Sequence, residues 1–559
     1  MNINEEYNIW LQHTADNQKL HQELVAMQNN KAQIEDAFYC ELAFGTAGLR
    51  GVMGAGTNRM NSYIVARASQ GVANYLKQSQ SQPAVVIGYD SRNNSRKFAE
   101  ITAEVFAANG IKVHIWPELM PVPTVSFATR YLKAAAGIMI TASHNPAKYN
   151  GYKVYGADGC QITTEAANSI LAEINKLDIF KDVKKADFQT ALASQQISYI
   201  DDAVYNAFLK EVKQQSVLFG EEVQKDAAIV YTPLNGTGLK PVTQILAEAG
   251  YTNIRIVPEQ KLPDGNFPTC PYPNPELAEA LKLGIEYAKK NKADLLLATD
   301  PDCDRVGIAV RDEHDEYQIL TGNQVGVLLL DYICSQRSKH HQMPEAAVMI
   351  KTVVTTAMAE QIAQSYGVRT INVLTGFKYI GEQIGMLEQK GKAGNYIFGF
   401  EESCGYLSGP YVRDKDGVNA AYLICEMYSY YATQGVSILQ RLAELYKKHG
   451  YSINLTCSYE FDGSTGLAKM QQIMNNLRQG VAEFAGKRVT TVLDYAEGIN
   501  GLPAENMLQF TLEDNCSVIV RPSGTEPKLK TYIYAIGESK AQAEQIAEDL
   551  IASSKELLK

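Results

Sequence analysis

Ala134-Ala-Ala-Gly-Ile-Met-Ile-Thr-Ala-Ser-His-Asn-Pro146 is the stretch that decides the fold class. The run Ala134–Ile140 is small and apolar, carries no helical period, and reads as a buried strand. It would carry Ser143 and His144 to its carboxyl end, with Pro146 stopping the strand. In open α/β sheets the ligand crevice lies outside those ends. A serine set there is a candidate nucleophile or phosphate carrier.

The same pattern recurs along the chain. Ala84–Ile87 leads into Gly88-Tyr-Asp-Ser-Arg92, and Ala227–Tyr231 into Thr232-Pro-Leu-Asn-Gly-Thr-Gly238. Asp294–Ala298 leads into Thr299-Asp-Pro-Asp-Cys-Asp-Arg305, and Tyr396–Phe400 into Glu401-Glu-Ser-Cys-Gly405. Apolar runs alternating with amphipathic segments predict α/β layers with largely parallel strands over roughly the first 450 residues. The repeated strand, polar turn and helix suggest three related units. The last hundred residues differ: Leu467, Met470, Ile473, Met474 and Leu477 recur at helical spacing, as do Ile546, Leu550 and Ile551. Between them Ser517–Val520 and Leu529–Ala535 flank a polar loop, so helix, strands and helix predict a small α+β lid. At 559 residues the chain exceeds one core. Polar stretches near Lys184–Ser198 and Gln214–Lys225 are candidate first boundaries.

Composition excludes several function classes. The formal charge of −10 does not favour nucleic acid. The first residues lack the basic and apolar blocks of a signal peptide, and no window approaches the ~18 apolar residues of a membrane span. The nine cysteines are scattered, odd in number and without a CxxC pair, so a reducing cytoplasm is expected.

Asp300, Asp302 and Asp304 are the clearest metal signal, since like charges that close repel unless a cation lies between them. Oxygen ligands alone suit Mg²⁺. A calcium EF-hand fails, because positions six and twelve counted from Asp300 are Arg305 and Arg311. Cys303 is expected to point away from the carboxylates of an extended turn. Arg521-Pro-Ser-Gly-Thr-Glu-Pro527 combines a guanidinium, two hydroxyls and a glycine, an inventory that suits a phosphate. Phe44-Gly-Thr-Ala-Gly-Leu-Arg-Gly51 is glycine-rich but is not a P-loop, and no GxGxxG follows a strand. Glu401 and Ser403 offer partners for sugar hydroxyls, and Lys153 of Asn150-Gly-Tyr-Lys153 can fold back toward Ser143. A Ser-His-Asp hydrolase is set aside: no G-x-S-x-G elbow surrounds Ser143, and His144 is expected on the opposite face of an extended chain.

Taken together and in order, FGTAGLRG (44–51), TASHNP with YNGYK (141–153), DPDCDR (300–305), TGFKYIG with FEES (375–403) and RPSGTEPK (521–528) closely resemble the α-D-phosphohexomutase superfamily. They look most like its phosphoglucomutase branch that also contains phosphopentomutases. The resemblance implies an α/β protein of four domains around a central cleft. Three would be related α/β domains with mixed or parallel sheets, over residues 1–205, 206–322 and 323–455, and a C-terminal α+β lid would cover 456–559. It implies a phosphoserine at Ser143, with Asp300, Asp302 and Asp304 holding Mg²⁺ together with a phosphate oxygen on Ser143. Arg50, His144 and Lys153 match positions of proton transfer or charge stabilisation, and Arg305 follows the metal loop. Glu401 and Ser403 match sugar-hydroxyl contacts, Thr375, Gly376 and Lys378 the neighbouring specificity loop. Arg521, Ser523, Gly524 and Thr525 match the loop that grips the non-reacting phosphate, with Lys530 as an addition. One departure stands out: some relatives have a histidine where this chain has Gly405, and Lys415 is the candidate to take over its acid/base role.

The implied activity interconverts α-D-glucose 1-phosphate and glucose 6-phosphate, primed by glucose 1,6-bisphosphate. Phosphomannomutase or phosphopentomutase activity by the same mechanism is the alternative. A non-catalytic phosphosugar sensor would have lost the serine or a carboxylate, and all four residues are present; a phosphatase would release inorganic phosphate instead. The expected partners are small phosphosugars, with no nucleic acid and no membrane, and the chain is expected to act as a monomer or weak homo-oligomer.

Overall fold

A computed structural model of the chain describes residues 2–45, 48–461, 463–499, 501–522 and 528–558. Four sheets follow one another along it. The first has the order Leu49–Val52, Tyr149–Gly156, Ala136–Ile140, Ala84–Tyr89, Lys112–Ile115, Ile197–Tyr199. Its last four strands run parallel and its first two antiparallel. In the second, Leu295–Thr299, Ile229–Thr232 and Ile254–Ile256 are parallel, and the hairpin Val306–Arg311 with Tyr317–Leu320 adds antiparallel strands. In the third, Arg369–Val373, Val348–Thr352 and Tyr396–Glu401 are parallel, with a short antiparallel Gly405–Leu407.

These three units share one device, and it differs from the expected strand, turn and helix. In each, the turn that follows a parallel strand reverses the chain into an antiparallel neighbour of that strand. Ala136–Ile140 returns as Tyr149–Gly156, Leu295–Thr299 as Val306–Arg311, and Tyr396–Glu401 as Gly405–Leu407. Each reversal passes through one residue in the left-handed region: Ser143 (φ 52°), Cys303 (φ 52°) and Cys404 (φ 62°). An L-residue there costs on the order of 1 kcal/mol, so each turn must be held by its surroundings. The polar runs Gly88–Arg92 and Thr232–Gly238 do lead into helices, Ser95–Ala108 and Leu239–Glu248.

The fourth sheet is wholly antiparallel, with six strands from Tyr451–Glu460 to Lys528–Gly537, and the helices Gly463–Arg478 and Lys540–Leu557 accompany it. One hydrophobic core runs continuously through the first three units, from Val86 and Trp116 through Tyr231 and Leu297 to Ile350 and Phe400. The last unit has its own, around Phe510, Val518, Leu529 and Ile533. A small buried cluster of Val354 and Leu374 with Tyr495, Met507, Ile519 and Tyr532 joins it to the third unit.

Local structure crosses the expected domain limits. The helix Asp202–Lys213 runs through 205/206, Gly322–Lys339 begins just before 322/323, and the strand Tyr451–Glu460 spans 455/456 while pairing in the last sheet. Of the two candidate boundaries, residues 184–198 contribute a helix and the strand Ile197–Tyr199 to the first unit, whereas 216–228 is irregular and forms the connector. Among the described residues no helix is long and apolar enough to cross a membrane.

Candidate active site

The three reversals converge. Ser143 is buried, and its N–H donates to Thr141 Oγ1 at 2.8 Å, which closes the turn. Pairing of the return strand sets Lys153 opposite Met139, so a lysine ten positions after the serine comes back beside it. His144 corrects an expectation. The chain is not extended there, and His144 Nδ1 lies 3.1 Å from Ser143 Oγ rather than on the opposite face. Burial, and then the charges of Arg305 and Arg50, hold this imidazole well below its usual range, so it is neutral at pH 7. Among the described residues no carboxylate hydrogen-bonds it, so no hydrolase triad forms.

The metal loop is also a tight turn rather than an extended one. Asp300 Oδ1 accepts from the N–H groups of Asp304 (3.0 Å) and Arg305 (3.1 Å), and Cys303 N–H donates to Asp300 O at 2.9 Å. As expected, Cys303 leaves the carboxylates: its sulfur packs beside Gly238 and Gly417. Asp300 Oδ2 accepts from Ser143 Oγ at 3.1 Å. Asp302 Oδ2 accepts from Lys153 Nζ at 2.9 Å and from Thr141 Oγ1 at 3.2 Å. Asp304 Oδ2 faces Lys415 Nζ at 3.1 Å and Lys153 Nζ at 3.6 Å.

All three carboxylates are buried, with ligand oxygens within 4.8 Å of one another, while among the described residues Asp302 Oδ1 and Asp304 Oδ1 have no hydrogen-bond partner. Buried orphan oxygens are costly, and an oxygen-only set of this size fits a hard divalent cation. Burial and the two neighbouring carboxylates push the Asp300 carboxyl far up. Burial acts the same way on Asp304, but Lys415 and Lys153 outweigh it and hold Asp304 low. Burial alone would discharge Lys415 and Lys153, and the facing carboxylates more than reverse this, so both stay cationic.

The third unit faces this cluster. Glu401 Oε1 accepts from Gly376 N–H at 3.0 Å, and Thr375 Oγ1 nearby is buried without a hydrogen-bond partner among the described residues. Burial pushes the Glu401 carboxyl up to about 7, with Lys415 and Arg305 restraining it. Ser403 is half-buried in the reversal itself. Arg305 is ion-paired with Glu276. Lys378 lies over the Tyr379 ring, within electrostatic reach of Glu505 and Arg521 of the last unit. Arg521 is ion-paired with Glu505 and is the cross-strand neighbour of Lys530. Ser523, Gly524 and Thr525 lie outside the described residues. Arg50 is exposed at the rim and donates to Asn145 Oδ1 at 3.2 Å.

Residues not foreseen complete the shell. Asp414 lies 3.5 Å from Lys415 Nζ and accepts from Tyr155 Oη at 2.9 Å. Glu276 holds Arg305, and Asp90 accepts from Thr141 Oγ1 at 2.7 Å. Asp90 was visible as the polar end of an apolar run; Glu276, in Pro273-Asn-Pro-Glu276, had no such signal.

Comparison with known proteins agrees with this arrangement. Family models described as phosphoglucomutase/phosphomannomutase alpha/beta/alpha domains I, II and III match residues 41–180, 206–313 and 321–449, and the one for the C-terminal domain matches 468–553. The chain belongs to this family. The phosphoglucomutase of Staphylococcus haemolyticus is 35% identical over 511 residues, covering 89% of this chain and 91% of that protein. That of Staphylococcus saprophyticus is 36% identical over 536 residues, covering 94% and 95%. The fold is shared with pp63/parafusin, a phosphoglucomutase from Paramecium crystallised in an open form (TM-score 0.71, 18% identity, 93% of this chain and 95% of that one). It is shared also with a phosphoglucomutase/phosphomannomutase family protein from Burkholderia thailandensis (TM-score 0.68, 19% identity, 92% and 97%).

Proposed function

We propose that this chain is a phosphoglucomutase that interconverts α-D-glucose 1-phosphate and glucose 6-phosphate through a phosphorylated Ser143 and a glucose 1,6-bisphosphate intermediate. The observation that carries the reading is Ser143 Oγ at 3.1 Å from Asp300 Oδ2, inside a buried carboxylate trio flanked by two lysines. Kinship with named phosphoglucomutases supports it.

Asp300, Asp302 and Asp304 would hold Mg²⁺ together with an oxygen of the phosphoserine, where the ion supplies positive charge against the transferring oxygens. The remaining work falls to side chains. In the first half-reaction the Oγ–P bond of phospho-Ser143 breaks as a bond forms from phosphorus to the free hydroxyl of the bound sugar phosphate. Transfer of this kind needs positioning and charge stabilisation more than covalent help. Lys153 and Lys415, kept cationic by the carboxylates they face, are suited to stabilise those oxygens. That shifts Lys415 from proton acceptor toward charge donor. The hydroxyl proton needs an acceptor free at neutral pH, and neutral His144 or Glu401, with its carboxyl at about 7, meets that condition. Glu401, Ser403 and Thr375 offer hydroxyl contacts; Arg521 and Lys530 bring cationic groups to the distal phosphate from a unit with its own core. The bisphosphate then reverses its orientation and returns its other phosphate to Ser143.

The test is Ser143→Ala. Turnover of glucose 1-phosphate should fall about a thousand-fold or more, with no label taken from ³²P-bisphosphate. Near-wild-type turnover with saturating bisphosphate ends the assignment. Comparing kcat/KM for glucose, mannose and ribose 1-phosphates should rank glucose first; mannose or ribose ranking first replaces the substrate.

A further inference from the structure

The polar run Gly88-Tyr-Asp-Ser-Arg92 enters the site above only through Asp90, yet its arginine is buried and held on several sides. Arg92 is buried, and its guanidinium donates to four backbone carbonyls of the serine turn. Nη2 reaches Ser143 O and Asn145 O, and Nη1 reaches Pro146 O at 3.0 Å and Tyr149 O at 3.2 Å. Nε lies 3.2 Å from Asp90 Oδ2, the same oxygen that receives Thr141 Oγ1. Thr141 in turn holds the Ser143 N–H. The turn is thus gripped from one side by its carbonyls and from the other by Thr141, both anchored on Asp90.

The opposite face of the guanidinium belongs to the second unit. Its carbon lies 5.1 Å from the centroid of the buried Phe267 ring. Asn93 Nδ2 donates to Asn266 Oδ1 at 2.9 Å, and a Cβ on Gly265 would come within 2.3 Å of Asn93 N. The segment Asp264–Phe267 therefore presses on Arg92, while Val122 N–H donates to Asp302 O at 2.9 Å, a second tie between the unit that carries the serine and the unit that carries the carboxylates.

We infer that Arg92 is a positioning residue for phosphoryl transfer: it holds Ser143 in its left-handed turn and, through Phe267, fixes that turn relative to Asp300–Asp304. The inference rests on Ser143 being the phosphoryl carrier. Arg92 touches none of the reacting side chains: both Nη groups are spent on backbone carbonyls, and Nε, without a hydrogen bond among the described residues, faces Asp90 as an ion pair. A planar fork is needed to bridge four carbonyls, and an ammonium has neither the span nor the donors.

Arg92→Lys keeps the charge beside Asp90 and removes the fork. With ³²P-glucose 1,6-bisphosphate as probe, label on Ser143 should reach wild-type stoichiometry but form about 30- to 100-fold more slowly, the scale of an ångström's misplacement. Steady-state kcat should fall by the same factor with KM for glucose 1-phosphate nearly unchanged. A stoichiometry that falls while the rate per labelled chain stays at the wild-type value would show a folding role only and overturn the assignment, as would unchanged kinetics. If Arg92→Lys does not fold, Phe267→Leu decides: it leaves all four carbonyl bonds, should lower the labelling rate about 5- to 10-fold at full stoichiometry, and overturns the inference if the rate is unchanged. Ser143→Ala run in parallel separates the two readings. Absence of label on wild type, or label persisting in Ser143→Ala, removes the carrier and this inference with it; normal wild-type labelling with unaltered Arg92→Lys rates removes the inference alone.

Discussion

The side chain of Lys415 crosses directly over Gly405, so that a Cβ at position 405 would lie 2.2 Å from Lys415 Cδ and 3.1 Å from Cγ. The glycine is thus the space through which the lysine reaches Asp304 and Asp414. A histidine at position 405 would collide with the lysine in its present path. The departure noted in the sequence and its candidate replacement thus touch in space, although ten residues separate them in the chain.

Gly405→Ala should therefore act through Lys415. It is expected to lower kcat about 10- to 100-fold, while Lys415→Met removes the cation from a buried carboxylate and costs about 3 kcal/mol of stability as well. In a double-mutant cycle, Gly405→Ala should add little on the Lys415→Met background. Full additivity of the two effects on kcat would show that the glycine acts elsewhere.

Asp302→Asn tests the carboxylate trio. Asp302 offers an oxygen without a hydrogen-bond partner among the described residues and takes Lys153 with the other. Removing its charge should raise the Mg²⁺ concentration for half-maximal activity at least about tenfold and lower kcat at saturation about a hundred-fold. Titrating chelator-treated protein with Mg²⁺ measures both.

Glu401, its carboxyl held at about 7 chiefly by burial, should put an acidic limb on the activity. The ionised form accepts from Gly376 and faces the sugar site, so kcat/KM should rise with pH through about 7 and level off above. Glu401→Gln should lose that limb and run about 10- to 100-fold below the plateau. The pH profile of both proteins decides it.

Asp416 gives a stability prediction. It caps the helix Gly417–Thr433 through Val418 and Asn419 N–H groups and accepts from Tyr411 Oη at 2.6 Å. Burial nevertheless pushes its carboxyl up to about 6 from 3.8. A raised folded value means stability that is whole below pH ~4 and is lost as pH climbs through ~6, on the order of 3 kcal/mol. Asp416→Asn keeps the cap and removes the titration. Melting curves from pH 4 to 7 should show wild type losing ground to the variant as pH rises; a constant gap between them refutes this.

Much of the site could be read from the chain because its residues sit at the ends of apolar runs. Ser143, Asp300, Asp302, Asp304 and Glu401 all follow strands whose burial is obvious, and a strand buried on both faces can deliver its end only to the sheet's edge. Lys153 was within reach for the same reason, two strands joined by one turn. The geometry inside the turns was not legible. An extended chain puts Ser143 and His144 on opposite faces, but the left-handed φ at Ser143 brings them to one side, and nothing in TASHNP announces a left-handed serine. Glu276 and Asp414 escaped because their meaning lies in what they face once the chain is folded: Glu276 meets Arg305 from 29 residues away, and Asp414 meets Tyr155 of the first unit as well as Lys415. At the expected limits 205/206 and 455/456 a helix and a strand run through without a break, which a family pattern does not resolve.

By itself the sequence determined the class of fold, the family, the carboxylate trio and the serine, since these depend on local pattern: apolar runs, their polar ends, and their order. Only the tertiary structure decided how three reversals meet, that Lys415 runs over Gly405, and that Arg92 is clamped between the serine turn and Phe267. Each of those is a contact that no single strand or turn specifies, set by how the segments pack rather than by what any of them prefers alone. Charge state belongs with them, because Lys153 and Lys415 stay cationic despite burial only through the carboxylates they face.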